Sequence, residues 1–482
     1  MQSRISPISF ALALLLYLAY LPGEACAQGP GGGPPPAAFT ACRGQTEGSD
    51  CRFDGMHGIV QGTCRIMRED RMVCVPGHAR EGMGPGMGSG MSSGMRPGMG
   101  PGSGHQQGRM PHGLPEGMQA PRGADIAAAN PDAIPVANRV PDTHQGSCFD
   151  NSGEIPCPVP GSPFFGQDAS YIGAPPAYHD NGDGTISDLV TGLTWQQAHH
   201  AKRLDYYAAQ QACSNLDLGG HRDWRLPTIK ELFSIADFRG SQGHRPYLDN
   251  VFEFHEPDAS VLQGDRFAST HTTGMMGQTW SSTIYTGVHF GRPGVEAAFF
   301  FNFLDGHIKQ APTRGRSQLF YRCVRGPRWG DNDFVDRGNG TVEDRASGLT
   351  WQKKDDGKTY DWPHAMAYCR DLSLGGKSDW RLPNVKELEG IVDYSHHAPA
   401  LDVRFLSMSD AKGWFWSGTT HGDNIHHADY VCFGACTSVD GLDTHGAGAQ
   451  RSDPKVGNPA DYGSLGGQRD EVRIDNYVRC VR

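Results

Sequence analysis

Five side chains able to ligate a metal or carry a proton crowd into one short stretch: His421, Asp423, His426, His427 and Asp429. Imidazoles beside carboxylates suit a transition ion. Adjacent histidines in a Gly-rich loop are ordinarily solvated, so His421, Asp423, His426 and His427 are taken as candidate ligand contacts and no metal is assigned. A softer set lies upstream, where Met83, Met87, Met91, Met95 and Met99 recur every four residues, with His105 and His112 nearby. Thioethers favour Cu(I), but the glycines between these methionines forbid a stable helix and mark the segment as a low-complexity spacer. Asp223-Trp224-Arg225 and Asp379-Trp380-Arg381 pair a carboxylate with a guanidinium. Such a pair invites a catalytic reading, yet it serves equally to fix a turn around a buried Trp, and that reading is preferred.

What must position these groups is written twice. Gly192-Leu193-Thr194-Trp195-Gln196, Cys213 and Asp223-Trp224-Arg225-Leu226-Pro227 return as Gly348-Leu349-Thr350-Trp351-Gln352, Cys369 and Asp379-Trp380-Arg381-Leu382-Pro383, always 156 residues later. The chain is a tandem of one domain. Each copy opens on a turn of Asn, Gly and Asp, at Asn181-Gly182-Asp183-Gly184 and Gly338-Asn339-Gly340, between strand-forming residues, which predicts a β-hairpin. A calcium loop would need ligands that Val190 and, in the second copy, Val335 cannot supply. Tyr206, Ala209, Cys213 and Leu216, matched by Trp362, Ala365, Cys369 and Leu372, predict a helix with its cysteine on the buried face. Thr228 with Glu231, and Asn384 with Glu387, form capping boxes that open a second helix. Loops of variable length follow, then Trp280-Ser281-Ser282-Thr283 or Trp416-Ser417-Gly418-Thr419, core strands at 297–303 and 430–433, and closing strands at 320–325 and 477–482. The fold class is α+β.

Arg4, the apolar run from Ile8 to Leu21 and Ala25-Cys26-Ala27 have the layout of a cleavable secretory signal over residues 1–27. Its removal takes Cys26 from the 13 cysteines and leaves an even set bound for an oxidising compartment. The duplication constrains their pairing: Cys213 with Cys323 and Cys369 with Cys480, first helix to last strand in each copy. Closing so long a loop contributes up to about 4 to 5 kcal/mol in the chain-entropy account. Cys148 with Cys157 reads as a local clasp and Cys432 with Cys436 as a loop-closing bridge. Cys42, Cys51, Cys64 and Cys74 staple a small module at 40–76, with three pairings open, because their spacings match no compact zinc pair. Residues 28–39 and 77–145 have too little apolar surface to offset chain entropy and are read as disordered linkers. A clasped lead-in spans 146–164, and the two repeats span 165–326 and 331–482.

The ordered set of Asn-Gly-Asp-Gly-Thr turn, Thr-Gly-Leu-Thr-Trp, helical Cys, Asp-Trp-Arg-Leu-Pro-x-x-Lys-Glu-Leu, Trp-Ser-Ser-Thr and Arg-Cys-Val-Arg resembles the bacterial family named after the C-terminal domain of the Legionella collagen-like adhesin. Trp-Arg-Leu-Pro before a capped helix is also similar to the formylglycine-generating enzymes, and the long disulfide resembles that of C-type lectin-like domains. The resemblance implies two tandem C-type-lectin-like domains acting as an extracytoplasmic binding module, with glycan as one ligand class. The collagen triplets of the adhesin are lacking here, so a trimeric stalk is not implied. Glu256-Pro257-Asp258 is a near match to the sugar-and-calcium tripeptides of sugar-binding lectins, which adds Glu256 and Asp258 to the candidate ligand contacts.

Two functions follow as expectations. The first is a non-catalytic protein, secreted, periplasmic or at the bacterial surface, that recognises a glycan or protein ligand through the variable loops of both domains, without a cofactor or catalytic residue. The second is a formylglycine-type or other copper-dependent oxidase, which would need reducible cysteines. The chain has no Gly-x-Ser-x-Gly elbow, phosphate loop or zinc-protease His pair. With 43 Lys and Arg against 53 Asp and Glu it is not basic, so a nucleic-acid partner is not expected. No membrane span is expected once the signal is removed.

Overall fold

A computed structural model describes residues 38, 40–55, 58–66, 72–76, 130–255, 257, 276–466 and 468–482. The signal segment, the Met-rich stretch, Glu256 and Asp258 lie outside them. Two compact units form, one within residues 1–95 and one within 96–482.

The first unit is an antiparallel meander of β1 (Asp50–Gly55), β2 (Gly58–Ile66) and β3 (Met72–Pro76). Cys42–Cys64 and Cys51–Cys74 are the two bridges, which resolves the open pairing. Its core is little more than those buried cysteines with Ala38 and Val73. So small a core needs covalent support, and each loop of this length contributes about 3 kcal/mol in the chain-entropy account.

The second unit begins with β4 (Ile134–Pro135), the clasp strands β5 (Cys148–Phe149) and β6 (Glu154–Ile155), and β7 (Tyr171–Ile172), which pairs in parallel with β4. The first repeat then contributes β8 (Tyr178–Asp180), β9 (Thr185–Asp188), β10 (Thr194–Gln196), α1 (Tyr206–Ser214), α2 (Ile229–Ser234), β11 (Gln278–Ile284), β12 (Ala297–Asn302), β13 (His307–Pro312) and β14 (Val324–Arg325). The second repeat contributes β15 (Phe334–Asp336), β16 (Thr341–Asp344), β17 (Leu349–Gln352), α3 (Trp362–Asp371), α4 (Val385–Gly390), β18 (Trp414–Thr420), β19 (His427–Cys432) and β20 (Gln450–Pro454). Each repeat is mostly β, with two short helices and two small antiparallel sheets, ordered β14-β10-β9-β8 and β11-β12-β13, then β15-β16-β17 and β18-β19-β20.

The local chemistry explains the elements. In the hairpins, Gly182 and Gly184 take φ of +73° and +84°, and Gly338 and Gly340 take +71° and +86°, a region that L side chains rarely adopt. Asp205 and Asp361 cap α1 and α3 by accepting from the amides of Ala208 and His364. Both capping boxes are complete, so α2 and α4 start where Thr228 and Asn384 end the preceding turn. Tyr206, Ala209 and Cys213 are buried on α1, as are Trp362, Ala365 and Cys369 on α3, while Leu216 and Leu372 lie past the helices and are half-buried. Trp195, Trp280, Trp351, Trp414 and Trp416 fill the cores.

Cys213–Cys323, Cys369–Cys480, Cys148–Cys157 and Cys432–Cys436 are all bridged. The closing strands are shorter than their alternation predicts. Only Val324–Arg325 joins a ladder, Cys323 precedes it, and 477–482 forms isolated bridges alone. The segment shares its backbone among several partners instead: in the first repeat Phe320 accepts from Trp280, Cys323 from Gln196, and Val324 from Arg225. A strand that joins two sheets cannot pair continuously with either.

Residues 130–145, assigned to a linker from composition, are folded. Val140, Asp142, Thr143 and Gln145 are buried. Thr143 accepts from the Phe238 amide in the first repeat, and Gln145 exchanges two 2.7 Å hydrogen bonds with the Thr420 backbone in the second. The segment buries one large apolar side chain, Val140, and is otherwise held by polar pairing of backbone and side chains, so composition missed it.

Candidate functional site

Both Asp-Trp-Arg motifs are scaffolding. Arg225 grips Glu231 with two 2.6 Å bonds and Arg381 grips Glu387 at 2.7 and 2.6 Å. The same Glu also closes its capping box, so one carboxylate joins the Trp turn to the second helix. Asp223 and Asp379 pair with Arg325 and Arg482, which pins the last segment. Each buried indole donates to two turn carbonyls, Leu218 and His221 or Leu374 and Lys377.

Between capping residue and Glu stands a lysine in each copy, Lys230 and Lys386. Lys230 Nζ donates to the Gly390 carbonyl at 2.8 Å, at the end of α4. Lys386 Nζ donates to the Ser234 carbonyl at 2.9 Å, at the end of α2. Residue i of one repeat meets j of the other and the reverse, the signature of a two-fold contact. Each lysine also takes further oxygens, Gly330 and Asn332 for Lys230 and the Asp142 carbonyl for Lys386. Burial lowers both lysines to about 8. A cavity of about 230 Å³ lies beside them, lined also by Arg139, Trp329, Asp344 and Glu389. Burial raises Glu389 to about 8, although a bond from Tyr394 opposes the shift.

The histidine cluster also belongs to this contact between repeats. His421 is buried, hydrogen-bonded at 2.9 Å to Asp429, and stacked on Tyr247 and His307 of the first repeat. Asp423 accepts from the Gln242 amide and the Tyr247 hydroxyl. Of the sequence candidates among the described residues His426 alone is exposed, beside the Asn151 carbonyl at 2.9 Å, and His427 is half-buried. The expectation of a solvated loop fails for His421 because Tyr247 and His307 cover it. Burial opposes the His421 imidazolium, but Asp429 and Asp423 outweigh it and raise its pKa to about 10. Burial lowers His427 to about 3.

His307, His421 and Asp429 can bring three ligand atoms within 4.8 Å of one another. His421 Nδ1 and one Asp429 oxygen pair at 2.9 Å, while His421 Nε2 and the other Asp429 oxygen have no hydrogen-bond partner among the described residues. A protonated His421 repels a cation, so no metal is assigned there. His144, Asp237 and Asp249 form a similar group, but Arg239 and Arg245 both pair with Asp237 there.

The variable loops of the two repeats meet at a rim. The Phe290 amide donates to the Asp443 carbonyl, and the Tyr285 hydroxyl donates to the Asp443 carboxylate. Val288 from the first repeat and Val439 and Leu442 from the second are exposed around this junction. Nothing in the sequence pattern marked them, since their apolar types suggest core and only the fold turns them outward. A second open feature is a groove of about 540 Å³ beside α1, lined by Tyr207, Gln210, Ser214, Arg225, Thr228 and Ser282 among others.

A model of the Lcl C-terminal domain family matches residues 184–325 and again 340–482, more than half of the chain. The chain belongs to the Lcl C-terminal domain family. No curated protein matches it. Both Lcl matches begin at the second glycine of the hairpin turn, Gly184 or Gly340, so 130–172 lies outside the matched domains, and 165–172, read from sequence as the start of the first repeat, runs on from the lead-in. In both Lcl domains the motif residues are the scaffolding just described. Their two unlike surfaces, the rim and the groove, lie where the copies differ in sequence or in what covers them. Among the described residues no helix is long and apolar enough to cross a membrane.

Proposed function

We propose that this is a non-catalytic binding protein of the extracytoplasmic space that recognises a glycan or protein ligand through the joined variable loops of its two Lcl domains. The observation that carries this reading is the rim, where Val288, Val439 and Leu442 stand exposed on loops fastened to one another across the two repeats. Apolar side chains presented on rigidly anchored loops suit the stacking faces of sugars or an apolar protein surface. Fixing both domains in one body lets them contact a single ligand together, without an avidity cost from a flexible tether. The long disulfide and paired sheets of each domain agree with a C-type-lectin-like fold, and a cleavable signal agrees with export.

The rival, a copper-dependent oxidase, needs reducible active-site cysteines, whereas Cys213, Cys323, Cys369 and Cys480 each sit in a buried bridge. The test is a glycan and protein array probed with the oxidised full chain and with a Val288→Asp, Leu442→Asp variant. A ligand bound by the first and lost in the second supports the reading. A ligand bound equally by both moves the site elsewhere, and no ligand in either contradicts it.

A further inference from the structure

The groove beside α1 has a counterpart on the second repeat, and there the chain fills it with its own lead-in. Phe164 packs on Trp362 with ring centres 6.4 Å apart. Asp168 Oδ2 accepts from the Thr419 hydroxyl at 2.6 Å, and the Tyr171 ring lies over the Arg381 guanidinium at 5.2 Å. The backbone passes so close that a Cβ on Gly418 would lie 3.2 Å from the Asp168 amide.

The first repeat keeps most of these recognition groups and leaves them open. Arg225 corresponds to Arg381, and its side chain is 34% exposed against 4%. Thr283 corresponds to Thr419 and is half-buried rather than buried. Each threonine accepts from the first amide of its helix at 3.0 Å, Ile229 or Val385. Thr419 then donates to Asp168, whereas Thr283 donates to no acceptor among the described residues. Arg328 adds a second cation to the groove wall. Two positions depart from the pattern: Tyr206 stands for Trp362, and Ser282 for Gly418, where its side chain stands at the point at which the lead-in backbone runs closest.

We propose that this groove binds an extended segment of a partner protein that carries an acidic residue followed three positions later by an aromatic one, seated as Asp168 and Tyr171 are on the second repeat. The carboxylate meets the Thr283 hydroxyl and the aromatic ring covers Arg225, a cation–π contact that gains as the guanidinium is desolvated. Ser282 holds the occupant slightly outward, which makes the site looser than its filled counterpart and suits exchange.

The probe is a fluorescent peptide with the sequence of residues 163–172, titrated against the oxidised full chain by polarisation. Saturable one-to-one binding is expected, weakened about tenfold or more when the peptide's Asp or Tyr is replaced by Ala. Ser282→Gly should tighten it and Ser282→Trp should abolish it, with near-UV circular dichroism confirming that both variants are folded. Absence of binding at millimolar peptide, or binding that survives Ser282→Trp, overturns the proposal. A concentration-dependent dimer that the peptide dissolves would identify a second copy as the occupant and overturn the assignment to a partner.

Discussion

Lys230 and Lys386 show how much a repeated residue can hide. Both lie in a Lys-Glu pair that sequence alone explains as the middle of a capping box, and the Glu does cap. The lysine reaches the other repeat, which no periodicity within one copy encodes. Replacing Lys230 by Met removes the donor it gives the Gly330 carbonyl and leaves the Gly390 carbonyl to Asn332, and should cost about 1 to 3 kcal/mol of stability; Lys386→Met should cost a similar amount, measured by urea unfolding. Unequal effects, with one near zero, would deny the two-fold role.

His421 makes a pH-dependent contribution. Its pKa is raised to about 10 from 6.5, so the stability it provides is fully present below about pH 6.5 and is lost as pH rises towards 10. The difference in unfolding free energy between the protein and His421→Gln should therefore shrink across that window. A constant difference would contradict the ion pair with Asp429.

Among the elements, the hairpins, the capped helices and the four repeat cysteines were legible because their signals are local or duplicated. Glycine turns, cap residues and a 3-4-3 stripe are fixed by neighbours in sequence. The closing strands were not, since their alternation describes burial and not which sheet takes each amide. The clasp at 146–164 was legible, but the extent of the lead-in, from 130 to 172, was missed for a related reason. Asp142, Thr143, Gln145 and Asp168 are buried polar groups, and their partners Phe238, Thr419 and Thr420 are distant in sequence. A chain beginning at residue 174 should lose this cover over α3 and between the repeats, and its melting temperature should fall by several degrees, as expected for a loss of about 1 to 3 kcal/mol. An unchanged melting temperature would show that the lead-in is only draped on the surface.

Asp168 gives that element its own pH signature. Burial first, then the nearby Asp142, raises it to about 8. Its protonated form is favoured in the folded state, so its contribution is greatest below about pH 4 and is lost as pH rises through 8. Asp168→Asn should flatten the stability profile between those values in a denaturation series, and a profile identical to that of the unaltered chain would remove Asp168 from the account.

At the scale of the whole molecule, two Lcl domains are joined by exchanged lysines, by the His421 and Tyr247 stack and by the lead-in, and they face the solvent unequally. Features confined to one copy looked in the sequence like ligand contacts. Of the four that are described, His421 and Asp423 serve the contact between copies, while His426 meets the Asn151 carbonyl. Two surfaces left free among the described residues are the rim and the groove of the first repeat. Binding without catalysis rests on the claim that the cysteines are structural throughout.

Peptide mass spectrometry of the full chain purified without reductant, with prior labelling of free thiols, tests that claim most directly. The account predicts bridges at Cys42–Cys64, Cys51–Cys74, Cys148–Cys157, Cys213–Cys323, Cys369–Cys480 and Cys432–Cys436, with no labelled thiol. A labelled Cys213 or Cys369, or either one paired with another partner, would contradict the scaffold and favour the oxidase reading instead.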